Sequence, residues 1–425
     1  MYYTADLHTH SHYAQATSKF LCLETLYQWA RVKGINVVGT GDFTHPVWFT
    51  ELKQKLVTDG NGFYKLKDIP AVPALEGIRV KDIPVRFCLS TEICSIYTYN
   101  NKVRKNHNMV YAPNFEIAGR INQKLAKYAD LSLDGRPTIP LSSRDLLELV
   151  MDISEQAYLV PAHAWTPWFS TLGSKGGYDS VDECFRDMAP YIFALETGLS
   201  SDPEMNWQWS KLDHLTMLSS SDAHSPQKLG REANRFDTDM IYDAMFESIK
   251  TGKGFMGTFE FFPEEGKYSY DGHRTCGICF SPEETAQHKG ICPVCKKSLT
   301  IGVMNRVAAL ADRKQAVQPA RAPGFEYIIP LPEILSELEG TGVESKKVTN
   351  AFINAINICG NEFALLKEMP LEDIHAYQPQ LAEAIRRLRA GEVQRIAGYD
   401  GVYGAIHVFG NKQKISTQTL QASLF

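Results

Sequence analysis

The sequence lacks the features that would carry the protein into or across a membrane. No window of the 425 residues supplies the roughly 20 consecutive apolar residues that a membrane-spanning helix needs. The first residues, MYYTADLHTH, have neither the basic stretch nor the apolar core of a signal peptide. We therefore expect a cytoplasmic protein that contacts no membrane.

Cysteine and excess positive charge are both scarce. Nine cysteines are too few for a disulfide scaffold in a chain of this length, and four of them fall between positions 276 and 295, which points to metal. The formal net charge of -5 argues against a protein that coats nucleic acid through bulk electrostatics. Local basic surfaces are still compatible with this charge. The candidates, which could equally be solvated faces, are Lys102, Arg104, Lys105, Arg386, Arg387 and Arg389.

Internal repeats, coiled-coil heptads and low-complexity tracts are also absent. Hydrophobic residues make up 44% of the chain and charged residues 22%, both ordinary values for a folded protein. A chain of 425 residues exceeds what one core usually organises. We therefore expect a large domain at 1–260, a cysteine module at 261–305 and a mainly helical region at 306–425.

Short apolar runs alternate with helical patterns through the first 260 residues. The runs, rich in valine, isoleucine and phenylalanine, lie at 35–40, 85–89, 109–112, 158–162, 192–197 and 215–219. Amphipathic spacing predicts helices at 21–33, 142–153 and 239–251, with Ser142 as the N-cap of the second. This alternation predicts an α/β fold with a mainly parallel sheet, and the number of units favours a closed β/α barrel.

Ligand-type residues stand at the ends of these runs, where barrel enzymes build their sites. His8 and His10 are two apart on the expected first strand, so both side chains point to one face, and Asp222 and His224 repeat this spacing. Each pair also has a plainer interpretation, as a surface strand or, for Asp222, as a helix N-cap. The whole set comprises His8, His10, Asp42, Glu92, His107, His163, Asp222 and His224. Together these residues could hold two or three divalent ions.

The cysteine module carries the most specific pattern. Cys276 and Cys279 form one CxxC pair, and Cys292 and Cys295 form a second after twelve intervening residues. Four thiolates at this spacing can close a tetrahedral zinc site that folds a small module and performs no hydrolysis. Redox chemistry is the alternative for these pairs. His273 and His288 lie nearby, but four cysteines already complete the coordination of one structural zinc.

The motifs DLHTH, GTGDFTH, STEIC, NHNMV, PAHAWTP and SSSDAH resemble those of the polymerase and histidinol phosphatase (PHP) family. The resemblance implies a distorted seven-stranded β/α barrel around a trinuclear metal site. Carried over by motif, the eight residues above would be ligands of zinc, manganese, magnesium or iron. Asp222, Glu92 and His10 would then be catalytic in the hydrolysis of a phosphate ester.

One motif departs from the family pattern. Where many members have Thr-Asp-His after the second strand, this chain has Thr40-Gly41-Asp42, so that an aspartate takes the usual histidine position. His45 is then either a ligand or a substrate contact. Glu76, in LEGI, is a weaker rival for the position given to Glu92.

The order of the domains along the whole chain resembles one particular group of PHP-type proteins. A PHP-type domain, a four-cysteine module and a C-terminal region with GVESKKV and GYDGVYG are similar to the endonuclease Q family of DNA repair enzymes. That similarity implies metal-dependent hydrolysis of damaged DNA on the 5′ side of uracil, hypoxanthine, xanthine and abasic sites. The alternatives are a PHP-type phosphatase acting on a small phosphate ester and a non-catalytic nucleic-acid-binding module.

Recognition of a damaged base requires a pocket outside the helix, with surfaces on which the base can stack. The candidates beside the ligand motifs are His45, Trp48, Trp165 and Trp168, and the tryptophans could equally be packing residues. The tail QTLQASLF loosely resembles a peptide that binds a sliding clamp, although Gln421 stands where an aliphatic residue is expected.

Overall fold

A computed structural model describes residues 1–70 and 73–410 of the chain. The tail that resembles a clamp-binding peptide lies outside the described residues. Within them, no helix combines the length and the apolar character needed to cross a membrane.

The bounds of the strands and helices follow in chain order. The strands are β1 (Tyr2–Asp6), β2 (Val37–Gly39), β3 (Leu56–Thr58), β4 (Tyr64–Leu66), β5 (Arg86–Tyr99), β6 (Lys102–Ala112), β7 (Thr138–Ile139), β8 (Tyr158–Pro161), β9 (Ala194–Glu196), β10 (Thr216–Leu218), β11 (Ala233–Asp237), β12 (Phe255–Glu260), β13 (Asp271–His273), β14 (Ile278–Phe280), β15 (Phe325–Tyr327), β16 (Gln394–Ile396) and β17 (Ala405–His407). The helices are α1 (Leu23–Lys33), α2 (Pro46–Lys55), α3 (Phe115–Leu125), α4 (Ser143–Ile153), α5 (Val181–Phe185), α6 (Pro203–Asn206), α7 (Tyr242–Thr251), α8 (Pro282–Gln287), α9 (Val303–Leu310), α10 (Leu331–Glu339), α11 (Lys346–Cys359), α12 (Leu371–Tyr377) and α13 (Pro379–Arg389).

The principal sheet is mixed, so the expectation of a mainly parallel sheet is wrong. β2 runs parallel to β1 and β5, whereas the pairs β1–β11, β5–β6, β6–β8 and β11–β12 are antiparallel. The longest pair, β5–β6, is a hairpin whose turn residues Asn100 and Asn101 both have positive φ. A two-residue hairpin turn requires such angles, and asparagine tolerates them. The apolar runs marked only the half of this hairpin that lies away from the turn, because the first half of β6 is mostly polar and the second half of β5 mixes polar and apolar residues.

A second, two-stranded sheet brings further loops to the same place. β9 and β10 pair in parallel. The N–H of Ala164, which follows β8, donates to the carbonyl oxygen of Glu196 in β9. Thr9, which follows β1, forms a bridge with Ala223, which follows β10. The chain segments after β1, β8, β9 and β10 therefore converge.

The predicted helices form where amphipathic spacing and capping residues place them. The Ser142 side chain accepts the N–H of Asp145 and so caps α4, while α1 ends at Gly34, whose φ of 92° is open to glycine. The mainly helical C-terminal region packs directly on α1. The rings of Trp29 in α1 and Phe352 in α11 lie 6.3 Å apart, and both belong to one hydrophobic core.

A buried ion pair also joins α1 to the C-terminal region. Lys33 Nζ lies 2.6 Å from Glu362 Oε2, and both side chains are 3% exposed. The other oxygen of Glu362 accepts the N–H of Leu331 at the start of α10. Lys33→Met would leave the Glu362 charge buried without its cation, so we expect the free energy of unfolding to fall by about 3–5 kcal/mol, measured by denaturant titration. The double variant Lys33→Met/Glu362→Gln should recover part of this loss, and a single variant as stable as the parent would contradict the assignment.

Candidate metal centre and substrate cleft

Four predicted ligands meet where the loops converge. His8 and His10 follow β1, Glu92 lies in β5 and Asp222 follows β10, and one ligand atom from each lies within 4.8 Å of the others. His10 Nε2 is 3.0 Å from Asp222 Oδ1. Both His8 and Glu92 are fully buried. Residues more than 200 positions apart in sequence thus form one polar cluster.

Glu92 also belongs to a second group. Its Oε1 lies 2.6 Å from His107 Nδ1 and 3.0 Å from His163 Nε2. Its Oε2 faces His8 and His10 at 3.6 and 3.4 Å. The carboxylate therefore bridges two sets of imidazoles. The apolar runs predicted that Glu92 and His107 lie at strand ends. Both instead lie inside strands, on one face of the β5–β6 hairpin.

The donor set fits divalent cations. His8 Nε2 is buried and has no hydrogen-bond partner among the described residues. It faces carboxylate oxygens of Glu92 and Asp222, each 3.6 Å away. A buried imidazole nitrogen among carboxylates is the arrangement that zinc, manganese and iron sites use.

Glu196 contacts two of the histidines on the side away from the converging ligand atoms. Glu196, at the end of β9, contacts His8 Nδ1 at 2.9 Å and accepts the N–H of His163. Sequence reasoning missed Glu196, although it is an acidic residue inside the apolar run 192–197 and the last residue of β9. Such contacts fix which imidazole nitrogen is presented to a metal.

Asp42, a predicted ligand, contacts His10 and Ser11. Its Oδ1 lies 3.1 Å from His10 Nδ1, and its Oδ2 accepts the N–H and the hydroxyl of Ser11 at 2.6 and 2.7 Å. Both oxygens are thus engaged, and Asp42 lies outside the two groups of converging ligand atoms. The geometry supports a positioning role, in which Asp42 holds His10 as Glu196 holds His8.

His224 lies at the rim of the cluster. Its Nδ1 is 2.9 Å from the carbonyl oxygen of Asp222, and its ring centroid is 4.8 Å from that of His10. The side chain is 35% exposed, in contrast to the fully buried His8 and His10. His224 remains a predicted ligand that faces the opening of the site.

The electrostatics keep the carboxylates ionised. Burial opposes ionisation of Glu92, but His107 and His8 outweigh it and hold the pKa of the carboxyl well below its usual value. For Asp222, burial is likewise outweighed by His8 and His10, and its pKa is lowered. Burial lowers the pKa of His10, yet Asp42 and Asp222 raise it to about 10. Such a site attracts positive charge, and metal ions can replace the histidine protons.

Three site residues have backbone angles in the left-handed region. The φ values are +49° at Asp42, +30° at His163 and +46° at Asp222. Residues other than glycine rarely adopt these angles, and their cost is tolerated mainly at functional sites. Each of the three lies in the turn that follows a strand, so the strained backbone serves to aim the side chain.

A cleft of about 530 Å³ opens beside the metal-ligand groups. Its walls include apolar side chains such as Ile96 and Phe169 and one cation, Arg136. Arg136 Nη1 lies 3.2 Å from Glu92 Oε2, and the side chain is partly exposed to the cleft. A guanidinium in this position suits a phosphate group. Sequence reasoning missed Arg136 because it lies in a polar turn outside any apolar run.

Only one of the four expected substrate contacts lines this cleft. Trp168 is 38% exposed and forms part of the wall. Trp48 and Trp165 are buried in the core, and their indole N–H groups donate to Gly41 O and Asn206 Oδ1. His45 caps α2, and its Nε2 contacts the carbonyl oxygen of Ser132. These contacts favour packing for Trp48 and Trp165 and capping for His45, which is the plainer interpretation of these residues.

The cysteine module brings together a set of ligand-type residues that differs from the expected four cysteines. Ligand atoms of His273, Cys276, Cys292 and Cys295 lie within 4.8 Å of one another. Cys279 belongs to β14, where it pairs with Gly272, and its thiol faces the carbonyl oxygen of Ala397 at 3.9 Å. Since strand residues alternate between faces, the register of β14 turns Cys279 away from the group. Three thiolates and one imidazole also make a closed zinc site.

Asp42→Ala tests the positioning role at the metal centre. The substitution removes the contact with His10 Nδ1 but none of the converging ligand atoms, so metal affinity should fall about 10- to 100-fold. Metal content after dialysis against a graded chelator measures this loss. Asp243→Ala, at an exposed position in the first turn of α7, is the control. Unchanged metal retention by Asp42→Ala would contradict the positioning role.

Cysteine variants distinguish the two ligand sets of the module. Cys276→Ser should release zinc, whereas Cys279→Ser should retain it because Cys279 lies outside the group. Zinc release can be followed with a chromogenic chelator, and His273→Ala should behave like Cys276→Ser. Loss of zinc from Cys279→Ser with retention by His273→Ala would restore the four-cysteine assignment.

Comparisons with known proteins agree with this architecture. The family model "MJ0043 C-terminal domain" matches residues 330–392, and the model "PHP-associated" matches residues 204–253. The uncharacterized protein YqxK of Bacillus subtilis is 31% identical over 279 residues, which cover 63% of this chain and 67% of that protein. The uncharacterized protein MJ0043 of Methanocaldococcus jannaschii is 31% identical over 252 residues, or 57% of this chain. The aligned segment spans only 31% of MJ0043.

Solved structures extend the similarity to nearly the whole chain. The lesion-specific endonuclease PfuEndoQ from Pyrococcus furiosus is 29% identical, with a TM-score of 0.83 over 97% of this chain and 98% of that one. Endonuclease Q in complex with a 27-mer duplex substrate, with an abasic lesion at the active site, is 29% identical. Its TM-score is 0.82 over 96% of each chain. The chain belongs to the endonuclease Q family.

Proposed function

We propose that this protein is a DNA repair endonuclease that cuts the phosphodiester on the 5′ side of uracil, hypoxanthine, xanthine and abasic sites. The observation that carries the proposal is the buried cluster bridged by Glu92, which opens into a cleft beside Arg136. The lesion-specific endonuclease PfuEndoQ has the same fold, and so does endonuclease Q in its complex with a duplex that carries an abasic lesion. The set of lesions rests on the family resemblance.

The proposed catalytic residues act by holding charge in fixed positions. His8, His10, Glu92, His107, His163 and Asp222 would hold two or three divalent cations, with His224 at the rim. When bound, such cations polarise a phosphate ester and lower the pKa of water. Asp42 and Glu196 keep the imidazoles oriented. The Arg136 guanidinium stands ready to offset the charge of the phosphate at the cleft wall.

A second groove beside the cleft supports DNA as the substrate. It has a volume of about 450 Å³, and its lining includes Lys102, Lys175 and Arg306. The neighbouring Lys105 extends over the ring of Phe169, a residue of the cleft wall. Among the described residues, Lys102, Lys105 and Lys175 form no ion pair, so their charges are available to phosphates.

The second basic segment predicted from the sequence, at 386–389, forms contacts within the protein. Arg389 donates to the carbonyl oxygens of Leu365, Leu366 and Met369. Arg386 pairs with Glu383 and Glu392. These contacts argue against phosphate binding by Arg386 and Arg389, so the groove at Lys102 is the better candidate for a DNA-binding surface.

We also propose that the chain is divided into a barrel domain, a zinc module and a helical region. β1, β2, β5, β6, β8, β9 and β10 would form the seven-stranded barrel of the PHP type, closed where Thr9 meets Ala223. Residues 1–260 would be this barrel domain, 261–305 the zinc module and 306–425 a helical region that contributes to DNA contact. The barrel and the helical region would share one core, since α11 packs on α1.

Asp222→Asn tests the reaction. Because Asp222 joins His8 and His10 at the open side of the cluster, the rate of nicking a uracil-containing duplex should fall by more than about 100-fold, beyond the usual effect of losing an orienting residue. The measurement is single-turnover cleavage of end-labelled duplex with Mg²⁺ or Mn²⁺. Asp243→Asn, at an exposed position in the first turn of α7, is the matched control.

The same assay separates the alternatives. Duplexes with hypoxanthine, an abasic site or no lesion define specificity, and a generic phosphomonoester tests for a phosphatase. Phosphate release without nicking would favour the small-ester phosphatase, and DNA binding without turnover would favour the non-catalytic module. Full nicking activity in Asp222→Asn would remove Asp222 from the mechanism.

A further inference from the structure

The turn 398–404 (GYDGVYG) has no part in the proposed metal chemistry, yet it is fixed firmly against the segment 264–272. Three of its glycines donate their N–H groups to carbonyl oxygens of that segment: Gly398 to Glu264 at 2.7 Å, Gly401 to Lys267 at 3.0 Å and Gly404 to Glu265 at 3.1 Å. A fourth bond returns from the N–H of Tyr270 to Gly398 O. The turn is therefore held by its backbone along its whole length.

At two of these positions only glycine fits, because the turn lies very close to the backbone of the segment 264–272. A Cβ atom on Gly398 would lie 2.4 Å from the carbonyl oxygen of Gly266, and one on Gly404 would lie 2.0 Å from that of Glu264. Both distances are too short for any side chain. Asp400 fixes the remaining corner, because its two oxygens accept the N–H of Arg274 and the hydroxyl of Thr300.

This rigid turn presents an exposed aromatic ring. Tyr403 is 70% exposed, although it is a large, partly apolar side chain. Its ring lies 4.6 Å from Lys267 Nζ, close enough for a cation–π contact. A ring on a fixed support is already in position to meet a ligand, so little conformational entropy is lost on contact.

A continuous surface joins Tyr403 to the cleft. Lys267 precedes Tyr268, whose ring lies edge-on to Trp168 with 5.0 Å between centroids, and Trp168 lines the cleft. A Cβ atom on Gly401 would lie 3.7 Å from Tyr268 Oη, which places the turn beside the same ring. We call Trp168, Tyr268, Tyr403 and Lys267 the aromatic ledge.

The charge of the ledge is complementary to nucleic acid. Lys267 and Arg274 are both exposed. Among the described residues, neither forms an ion pair with a carboxylate. The nearby Glu264 is paired with Arg395, and both oxygens of Asp400 are engaged by Arg274 N–H and Thr300. Aromatic faces interleaved with free cations are the combination that binds bases together with their phosphates.

We propose that Tyr403 contacts the base stack of duplex DNA next to the lesion and fills the space left when the damaged nucleotide turns into the cleft. This inference rests on the proposed endonuclease function. A nucleotide leaving a duplex gives up stacking on its neighbours, and an aromatic ring can replace that contact. A single-stranded substrate has no helix to hold open, so the contribution of Tyr403 is specific to duplex DNA.

The test compares one lesion strand in two forms. Single-turnover nicking of a uracil-containing strand is measured for the duplex and for the same strand alone, in the wild type, Tyr403→Ala and Tyr403→Phe. We expect Tyr403→Ala to lower the duplex rate roughly 10-fold and to leave the single-strand rate nearly unchanged. Tyr403→Phe should retain the duplex rate because the ring is kept. Tyr191→Ala, at another exposed tyrosine, is the matched control.

A second readout does not depend on turnover. In the Asp222→Asn background, 2-aminopurine next to the uracil reports loss of stacking through a rise in fluorescence on binding. This rise should require Tyr403 and survive Tyr403→Phe. Equal loss of both nicking rates, or a fluorescence rise unaffected by Tyr403→Ala, would overturn the proposal. If the wild type nicked neither substrate, the proposed function would fail, and the fluorescence comparison would still decide the role of Tyr403.

Discussion

The site depends on one buried carboxylate placed between two sets of histidines. Glu92 is fully buried and shares its oxygens among four imidazoles and Arg136. An ionised carboxylate in such a position is unfavourable unless positive charge surrounds it. The long β5–β6 hairpin, which carries Glu92 and His107 on one face, is what delivers the carboxylate to the centre. The loops after β1, β8 and β10 then have to meet it, and in the last two of these loops the turns at His163 and Asp222 have backbone angles in the left-handed region.

Around this centre the protein separates two kinds of carboxylate. Glu92 and Asp222 face the space where ligand atoms converge, whereas Asp42 and Glu196 contact the outward nitrogens of His10 and His8. The outer pair sets which face of each imidazole is offered inward. All four acids are polar and lie near strand ends or in strands, so residue type alone does not distinguish the inner pair from the outer.

The sequence predicted much of the site but not all of it. His8, His10, Glu92, His107, His163 and Asp222 do converge. For His8, His10, His163 and Asp222 the signal was their place just after a strand, whereas Glu92 and His107 lie inside the β5–β6 hairpin and were predicted by motif. The hairpin turn at Asn100 and Asn101 escaped notice because a polar antiparallel strand leaves no apolar run. Burial of Trp48 and Trp165 depends on contacts distant in sequence, as does the choice of His273 over Cys279. Spacing alone carries no information on such contacts.

The anchoring of Asp400 ties together parts of the chain that serve different purposes. Its oxygens hold the backbone of Arg274 and the hydroxyl of Thr300, and both residues belong to the module that carries Cys276 and Cys292. Tyr403 therefore depends for its position on a module whose ligand-type residues would be held together by a bound ion. Loss of that ion would then slow the proposed nicking of duplex DNA in the way expected for Tyr403→Ala, while the separate cluster around Glu92 kept its own ligands.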